Sequence, residues 1–222
     1  MEEKLYQRLG LQNESLVLDA GAGSGLVASY MATKGLRVQA IDLTPVHVEQ
    51  AKANIQARGL RDRVSVQLGD YHDLAEFETS SFDGIYTMET FVHADDGPRV
   101  LQTFNGLLKP GGVLVMHEAD FHTDSPVLQE VHRLSHCENT LEQGAYGRLL
   151  KEAGFRDIII EDLSAGVLPL WRLFGVLGAV PYGVLKAFGL QNRFTNLMAG
   201  VEVYRHWDDG RYISVRATKS AT

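Results

Sequence analysis

The sequence predicts an α/β protein, a parallel sheet covered by helices, in a single domain over residues 1–222. Three observations carry that expectation. Between Ser15 and Glu118, short β-branched or apolar runs alternate with segments of helical period, the pattern of strands joined by crossover helices. A glycine-rich turn, Gly21-Ala22-Gly23-Ser24-Gly25, follows the first run. Acids close the runs: Asp19 on the first, Asp42 on the second and Asp70 just past the third.

The elements follow in order. Leu16 to Asp19 reads as a strand, and Leu26 to Lys34 as a helix stopped by Gly35. Val38 to Ile41 is the second strand, after which Thr44 is placed to cap a helix with Pro45 at its first position, running to Arg58 before Gly59. Val64 to Leu68 and Phe82 to Met88 are strands three and four. The acidic start Asp95-Asp96 opens a helix on which Val100, Leu101, Phe104, Leu107 and Leu108 recur at helical spacing. Lys109-Pro110-Gly111-Gly112 turns into strand five, Val113 to Glu118. Beyond it, Thr140 to Ala153 reads as a helix, Asp157 to Glu161 as a strand, and Tyr212 to Ala217 as the last strand, entered through Asp208-Asp209-Gly210. About fifty residues between those last strands exceed a bare loop, so an apolar helical insertion is predicted at about 165–208. Residues 165–190 carry two charges, Arg172 and Lys186, and Pro169, Pro181 and five glycines break the run. Its longest uncharged stretch, Leu173 to Leu185, is too short to span a bilayer, so two short helices are expected.

Composition removes several function classes. At 45% hydrophobic and 22% charged, the chain is neither collagen-like, nor of low complexity, nor disordered. With 28 Asp and Glu against 21 Lys and Arg it carries a net −7 and no basic block, so no nucleic-acid partner is expected. One cysteine, Cys137, allows no internal disulfide, and Met1-Glu2-Glu3-Lys4 opens no apolar leader; the expected setting is the reducing cytoplasm.

The glycine turn and the acids point to a small ligand. Glycines admit a close backbone approach, and the helix amides beyond them attract an anionic group. A dinucleotide fingerprint would need glycine at 26, where Leu26 stands, so a nucleoside fits better. Asp42 lies 21 residues after Gly21, where a carboxylate accepts both hydroxyls of a ribose. Ligands of open α/β sheets sit at the carboxyl ends of the strands, so Asp19, Asp42, Asp70 and Glu89 face one crevice. Four acids call for a cationic ligand.

Five motifs, in order, resemble class I S-adenosylmethionine-dependent methyltransferases: Val17-Leu18-Asp19-Ala20-Gly21-Ala22-Gly23-Ser24-Gly25, Ile41-Asp42, Gly69-Asp70, Phe82-Asp83-Gly84-Ile85-Tyr86 and Leu108-Lys109-Pro110-Gly111-Gly112. The resemblance covers residues 1 to about 160. It implies a Rossmann-like, doubly wound, mainly parallel seven-stranded sheet with an antiparallel last strand, preceded by the helical insertion. It also implies S-adenosyl-L-methionine as cofactor. Its methionine part would lie on Gly21, Gly23 and Gly25 with Asp19 at the amino group, its ribose on Asp42, its adenine by Asp70 and Tyr71, and Leu43, Gly69 and Met88 complete the set. Tyr86 to Ala94 and Val115-Met116-His117-Glu118 are similar to sterol C-methyltransferases and their quinone-modifying and small-molecule relatives. Two departures stand out. Ala22 occupies a position that is often cysteine, and strand one begins about fifteen residues from Met1, leaving little N-terminal helical cover. That cover is missing, removed, or replaced by the apolar insertion.

The activity this implies is methyl transfer to oxygen or carbon of a lipophilic small molecule, of the kind met in secondary metabolism. The alternative is a cofactor-binding protein without transfer, as a regulatory partner or a fold reused for cyclisation. A nucleic-acid methyltransferase is disfavoured, since Tyr86-Thr87-Met88-Glu89 stands where amino-methylating DNA enzymes show Asn/Asp-Pro-Pro-Tyr. Positioning and exclusion of water supply most of the acceleration in such a displacement. A hydroxyl acceptor needs a base, for which His93 and His117 are candidates. An alkene acceptor develops a carbocation, which Glu89 or Glu118 with Tyr86 or Phe91 is suited to stabilise. Each has a plainer role to weigh: Glu89 and His93 as caps of the next helix, His117 and Glu118 as a solvated strand end. No metal is expected. His117-Glu118-Ala119-Asp120-Phe121-His122 is one residue too long for the zinc motif, and His132 with His136 reads as a solvated helix face. Cys137 reads as a small core residue, and Trp171, Phe174 and Tyr182 as core or lid packing. The insertion offers apolar surface to three partners: a lipophilic acceptor, a membrane surface, or a second copy in a homodimer.

Overall fold

The computed structural model describes residues 1–121, 126–135 and 143–221. In chain order the elements are α1 (Glu2–Leu9), β1 (Leu16–Ala20), α2 (Leu26–Thr33), β2 (Arg37–Asp42), α3 (Pro45–Ala57), β3 (Val64–Leu68), β4 (Phe82–Met88), α4 (Gly97–Leu107), β5 (Leu108–Phe121), α5 (Pro126–Ser135), α6 (Tyr146–Glu152), β6 (Phe155–Asp162), α7 (Ser164–Ala187), α8 (Thr195–Arg205) and β7 (Gly210–Lys219). The seven strands form one sheet in the order β3-β2-β1-β4-β5-β7-β6. Pairings from β3 through β5 are parallel, and β7 runs antiparallel to both β5 and β6.

The strand order reverses between β1 and β4, so the crossover helices fall on opposite faces and a crevice opens at the strands' carboxyl ends. On one face, Leu5 and Leu9 of α1, Ala28 and Met31 of α2 and Ala51 and Ile55 of α3 pack on Val17, Val38, Val113 and Val115. On the other, Val100, Leu101 and Phe104 of α4 and Leu149 and Leu150 of α6 cover Leu18, Ile85, Leu114 and Met116. Alternate residues of each strand thus feed two cores, which is why these strands read as continuous apolar runs. The β7 strand starts opposite the end of β5 (Gly210 to Phe121), and β6 ends opposite Ile213. The connection between them therefore leaves from the same carboxyl edge as the crevice.

Local chemistry explains most boundaries. Pro45 opens α3 as expected, while Thr44 donates its backbone N–H to Asp42 instead of capping with its side chain. Asp96 caps α4 by accepting from the Arg99 N–H at 3.1 Å. Lys109-Pro110-Gly111-Gly112 lies inside β5 as an excess between Leu108, opposite Phe82, and Val113, opposite Gly84. Gly111 there takes φ +77°, which suits glycine.

Three elements differ from the sequence reading. Helix α1 precedes strand one; its eight residues bury only Leu5 and Leu9, too few positions to show a period. Helix α6 begins at Tyr146, while Thr140 lies outside the described residues, as do His122, His136 and Cys137. In place of two short helices, one 24-residue helix, α7, runs through Pro169 and Pro181. An interior proline costs about 3 kcal/mol. Here Gly175, Gly178 and Tyr182 are buried in packing, and tertiary contact outweighs the local penalty.

Candidate functional site

The turn after β1 is held on three sides. The Gly21 and Ala22 amides donate to the Ile41 carbonyl at 3.0 and 2.8 Å, tying the turn to β2. Gly21 takes φ +112°, and a Cβ there would overlap the Thr90 side chain, whose Oγ1 donates to the Ala20 carbonyl at 2.8 Å. Gly25, at φ +73°, lies against Ala51 of α3, with 2.9 Å left for a Cβ. Gly23 is different: φ is +51°, and nothing lies within 4 Å of where its Cβ would stand. The turn is clamped at both ends and open in the middle.

Asp42 brackets this opening. One carboxylate oxygen accepts the Gly23 N–H at 2.7 Å, and the other accepts the Thr44 N–H at 2.9 Å and faces the His47 ring at 3.2 Å. Asp19 lies beside it, 3% exposed, accepting the Tyr86 hydroxyl at 2.9 Å. Burial drives the Asp19 carboxyl up to about 7; the Tyr86 bond opposes that shift and the Asp42 charge adds to it. Two acids that repel each other at buried strand ends, next to an open glycine, form a site that a cation relieves.

The next wall comes from the end of β3. Gly69 has little room for a side chain, since a Cβ would stand 3.1 Å from Ile41 Cγ2. Burial raises the Asp70 carboxyl, but the amide and ring of His72 outweigh it and hold it below the usual carboxylate range. The Tyr71 hydroxyl donates to the Thr90 carbonyl at 3.0 Å, linking this wall to the strand-four loop. Leu43 stands 68% exposed at the lip, and Met88 closes β4 half-buried. The fold thus gathers Asp19, the three glycines, Asp42, Gly69, Asp70, Tyr71 and Met88 about the carboxyl ends of β1 to β4.

The four candidates for chemistry are not equivalent. Glu89, exposed, adopts φ +57° just past β4, its N–H donating to the His117 carbonyl at 2.9 Å and its Oε1 accepting the Tyr212 hydroxyl at 3.0 Å. A non-glycine residue in that region stores strain on the order of 1 kcal/mol. Glu118 is fully buried under the same loop, accepting from Thr87 Oγ1 at 2.6 Å and the Phe91 N–H at 3.2 Å. Burial lifts its carboxyl to about 7 against those bonds, and its Oε2 has no hydrogen-bond partner among the described residues. His93 is exposed on the 3-10 turn Phe91–His93. His117, one residue from Glu118 on a strand, faces the other way, toward Arg8 and Lys4 of α1. It is fully buried, and burial with those cations holds its ring down at about 4. Tyr86 and Phe91 are buried, Tyr86 committed to Asp19 and Phe91 against Tyr146.

Sequence reasoning missed Thr90, which closes the glycine turn, and Tyr212, which reaches Glu89 across 123 positions of chain. Thr90 follows the acid at the end of β4 and so had a positional signal; Tyr212 had none, because no local spacing encodes that approach.

The chain matches the model of a methyltransferase domain over residues 18–116. It is 33% identical to an S-adenosyl-L-methionine-dependent Diels-Alderase of Talaromyces variabilis over 99% of this chain and 80% of the relative. It is 30% identical to an O-methyltransferase of Aspergillus sclerotiorum over 78% of this chain and 66% of that protein. Its fold superimposes on the crystal structure of the cyclase SpnF with a TM-score of 0.83 at 22% identity, covering all of this chain and 81% of that one.

Proposed function

Since the chain belongs to the class I S-adenosylmethionine-dependent methyltransferases, we propose that it binds that cofactor across the carboxyl ends of β1 to β4 and methylates oxygen or carbon of a lipophilic small molecule. The observation that carries this reading is the buried pair Asp19 and Asp42 flanking the open face of Gly23. S-adenosylmethionine brings an ammonium and a sulfonium to acids that repel each other, and its sulfonium activates the methyl group. Asp42 keeps lone pairs for the ribose hydroxyls beyond those given to Gly23 and Thr44. Glu89, oriented by Tyr212, and His93 on the following turn are the groups placed to take a hydroxyl proton or to face developing positive charge. Glu118 shapes the loop that carries both, through Thr87 and Phe91. The apolar helices that leave from the same edge support a lipophilic acceptor.

Incubation with methyl-labelled cofactor and a lipophilic extract is expected to yield a labelled apolar product and an equal amount of S-adenosylhomocysteine. A specific observation favours a second reading, cyclisation with the cofactor bound but unconsumed: the Talaromyces Diels-Alderase is similar over nearly the whole chain. A product isomeric with its precursor, formed without loss of S-adenosylmethionine, would replace the first reading by the second.

A further inference from the structure

Helix α7 carries two apolar stripes, and only one of them is used. Trp171, Gly175, Gly178, Tyr182 and Leu185 recur at helical spacing and turn inward, with Gly175 against Tyr204 and Gly178 against Val201 of α8. Leu170, Leu173, Phe174, Leu177, Val180 and Val184 recur on the outer side and are between 51% and 75% exposed. Phe188 extends that stripe at 76%. A helix on the surface of a protein surrounded by water puts polar residues on its outer side. This one puts leucine, valine and phenylalanine there along about 36 Å, and only 17% of its most apolar stretch is buried in the protein. Such a patch marks a partner.

Charge selects the partner. Residues 164–206 hold Arg172, Lys186, Arg193 and Arg205 against Glu202, a local +3, while the rest of the chain carries −10. Lys186 donates to the inward-facing Tyr182 hydroxyl at 3.2 Å, while Arg172 and Arg193 stand exposed on the same layer as the apolar stripe. A second copy docking by the same patch would set these cations against their own images, whereas anionic headgroups neutralise them and the long side chains reach outward to meet them. Crossing the membrane is a poor fit. Leu163 donates to the Tyr212 carbonyl at 2.7 Å and Tyr212 donates back to Ser164 Oγ at 3.0 Å, tying the start of α7 to the sheet. The chain returns through α8, whose Glu202 accepts the Tyr182 hydroxyl and pairs with Arg205.

We propose that α7 rests its outer stripe on an anionic lipid surface, lying along the membrane, with the mouth of the crevice beside it. The docking stands on the helix itself. Its purpose, giving access to an acceptor dissolved in lipid, rests on the acceptor class proposed above.

Flotation of the full chain with vesicles tests it. The chain is expected to float with phosphatidylcholine vesicles containing roughly a third phosphatidylserine, to float less with phosphatidylcholine alone, and to be partly released by high salt. Replacing Leu173, Leu177 and Val180 together by Glu should abolish flotation with an unchanged circular-dichroism spectrum. The pair R172E and R193E, both at exposed positions, should weaken binding to the anionic vesicles at least about tenfold and to neutral ones little. A chain that floats with neither vesicle overturns the proposal. So does a stable dimer in solution that the triple variant converts to monomer, since the second copy would then be the occupant. Flotation accompanied by methylation of only water-soluble acceptors keeps the docking and removes the lipophilic acceptor.

Discussion

The carboxyl edge of β1 to β5 and the layer of α7 and α8 lie at one end of the same sheet and break opposite rules. The edge buries acids: Asp19 and Glu118 are 3% and 0% exposed, and burial pushes both carboxyls up to about 7. The helical layer exposes hydrocarbon: Val180 and Phe188 stand 75% and 76% open. Neither arrangement lowers the energy of the isolated chain, since a buried carboxylate gives up hydration and an exposed apolar stripe keeps its contact with water. Both gain from something outside the chain, a cation at the edge and an apolar, anionic surface at the layer. Departures from the rules of folding are therefore where the function of this molecule is written.

The largest effect that would break the comparison is at the glycine turn. Gly21→Ala puts a Cβ into Thr90 at φ +112°, so strain and overlap together should cost about 3 kcal/mol, read as a lower melting temperature, with cofactor binding lost. Gly23→Ala meets no atom within 4 Å and pays only for its left-handed backbone, about 1 kcal/mol. It should fold and still bind cofactor poorly by calorimetry, because its methyl occupies the open face. A Gly23→Ala protein that binds normally would move the ligand off the turn.

Asp42→Ala comes next. It removes the acceptor for Gly23 and Thr44 and one of the two repelling acids, and cofactor affinity should fall roughly tenfold, about 1.4 kcal/mol. Protonation gives a finer reading of the same pair. Asp19 has a folded value raised to about 7 from an ordinary 3.8, so the folded protein holds its proton more tightly than the unfolded chain. Its contribution to stability is full below about pH 4 and is lost as pH rises through 7. A bound cation favours the carboxylate, so binding should release a proton and tighten as pH rises from 5 toward 7, and calorimetry in buffers of different ionisation enthalpy reads that release. Asp19→Asn should abolish it.

His117 titrates with the opposite sign and in another place. Its folded value, about 4, lies below the ordinary 6.5, so its contribution is present above that ordinary value and lost as pH falls through 4. His117→Leu should flatten the acid side of the stability curve, measured by denaturant titration, and leave cofactor affinity within about twofold, because the ring lies against α1. The two strand-end residues at 117 and 118 thus separate. The sequence supports both as one polar pair, and only the pleat, which sends neighbours to opposite faces, tells that Glu118 lies under the loop and His117 on the far side of the sheet.

That contrast measures what the residues made legible. The motifs from Val17 to Gly112 placed the strands and the acids, because each depends on local chemistry: a glycine turn, an acid at a strand end, Pro45 and Asp96 at helix starts. The 164–206 layer was legible in composition and not in form. Pro169 and Pro181 argue locally for two helices, and the inward stripe that joins them depends on Val201 and Tyr204, decided by packing across the chain. Helix α1 escaped notice for a similar reason, since Leu5 and Leu9 make sense only against β5.

The smallest effect is the most informative about chemistry. Tyr212 belongs to the helical side of the molecule, at the start of β7, yet its hydroxyl holds Glu89 on the acid side at 3.0 Å. That hydrogen bond joins the last strand to the loop after β4. Tyr212→Phe keeps the ring and removes that bond, which should cost the fold about 1 kcal/mol or less. If Glu89 acts on the acceptor, its freed side chain should lower kcat severalfold while the cofactor Kd is unchanged, since nothing on the Asp19 and Asp42 side is touched. An equal change in kcat and KM would make Glu89 a positioning group for the acceptor. No change in either would confine Tyr212 to packing and cut the link between the two regions.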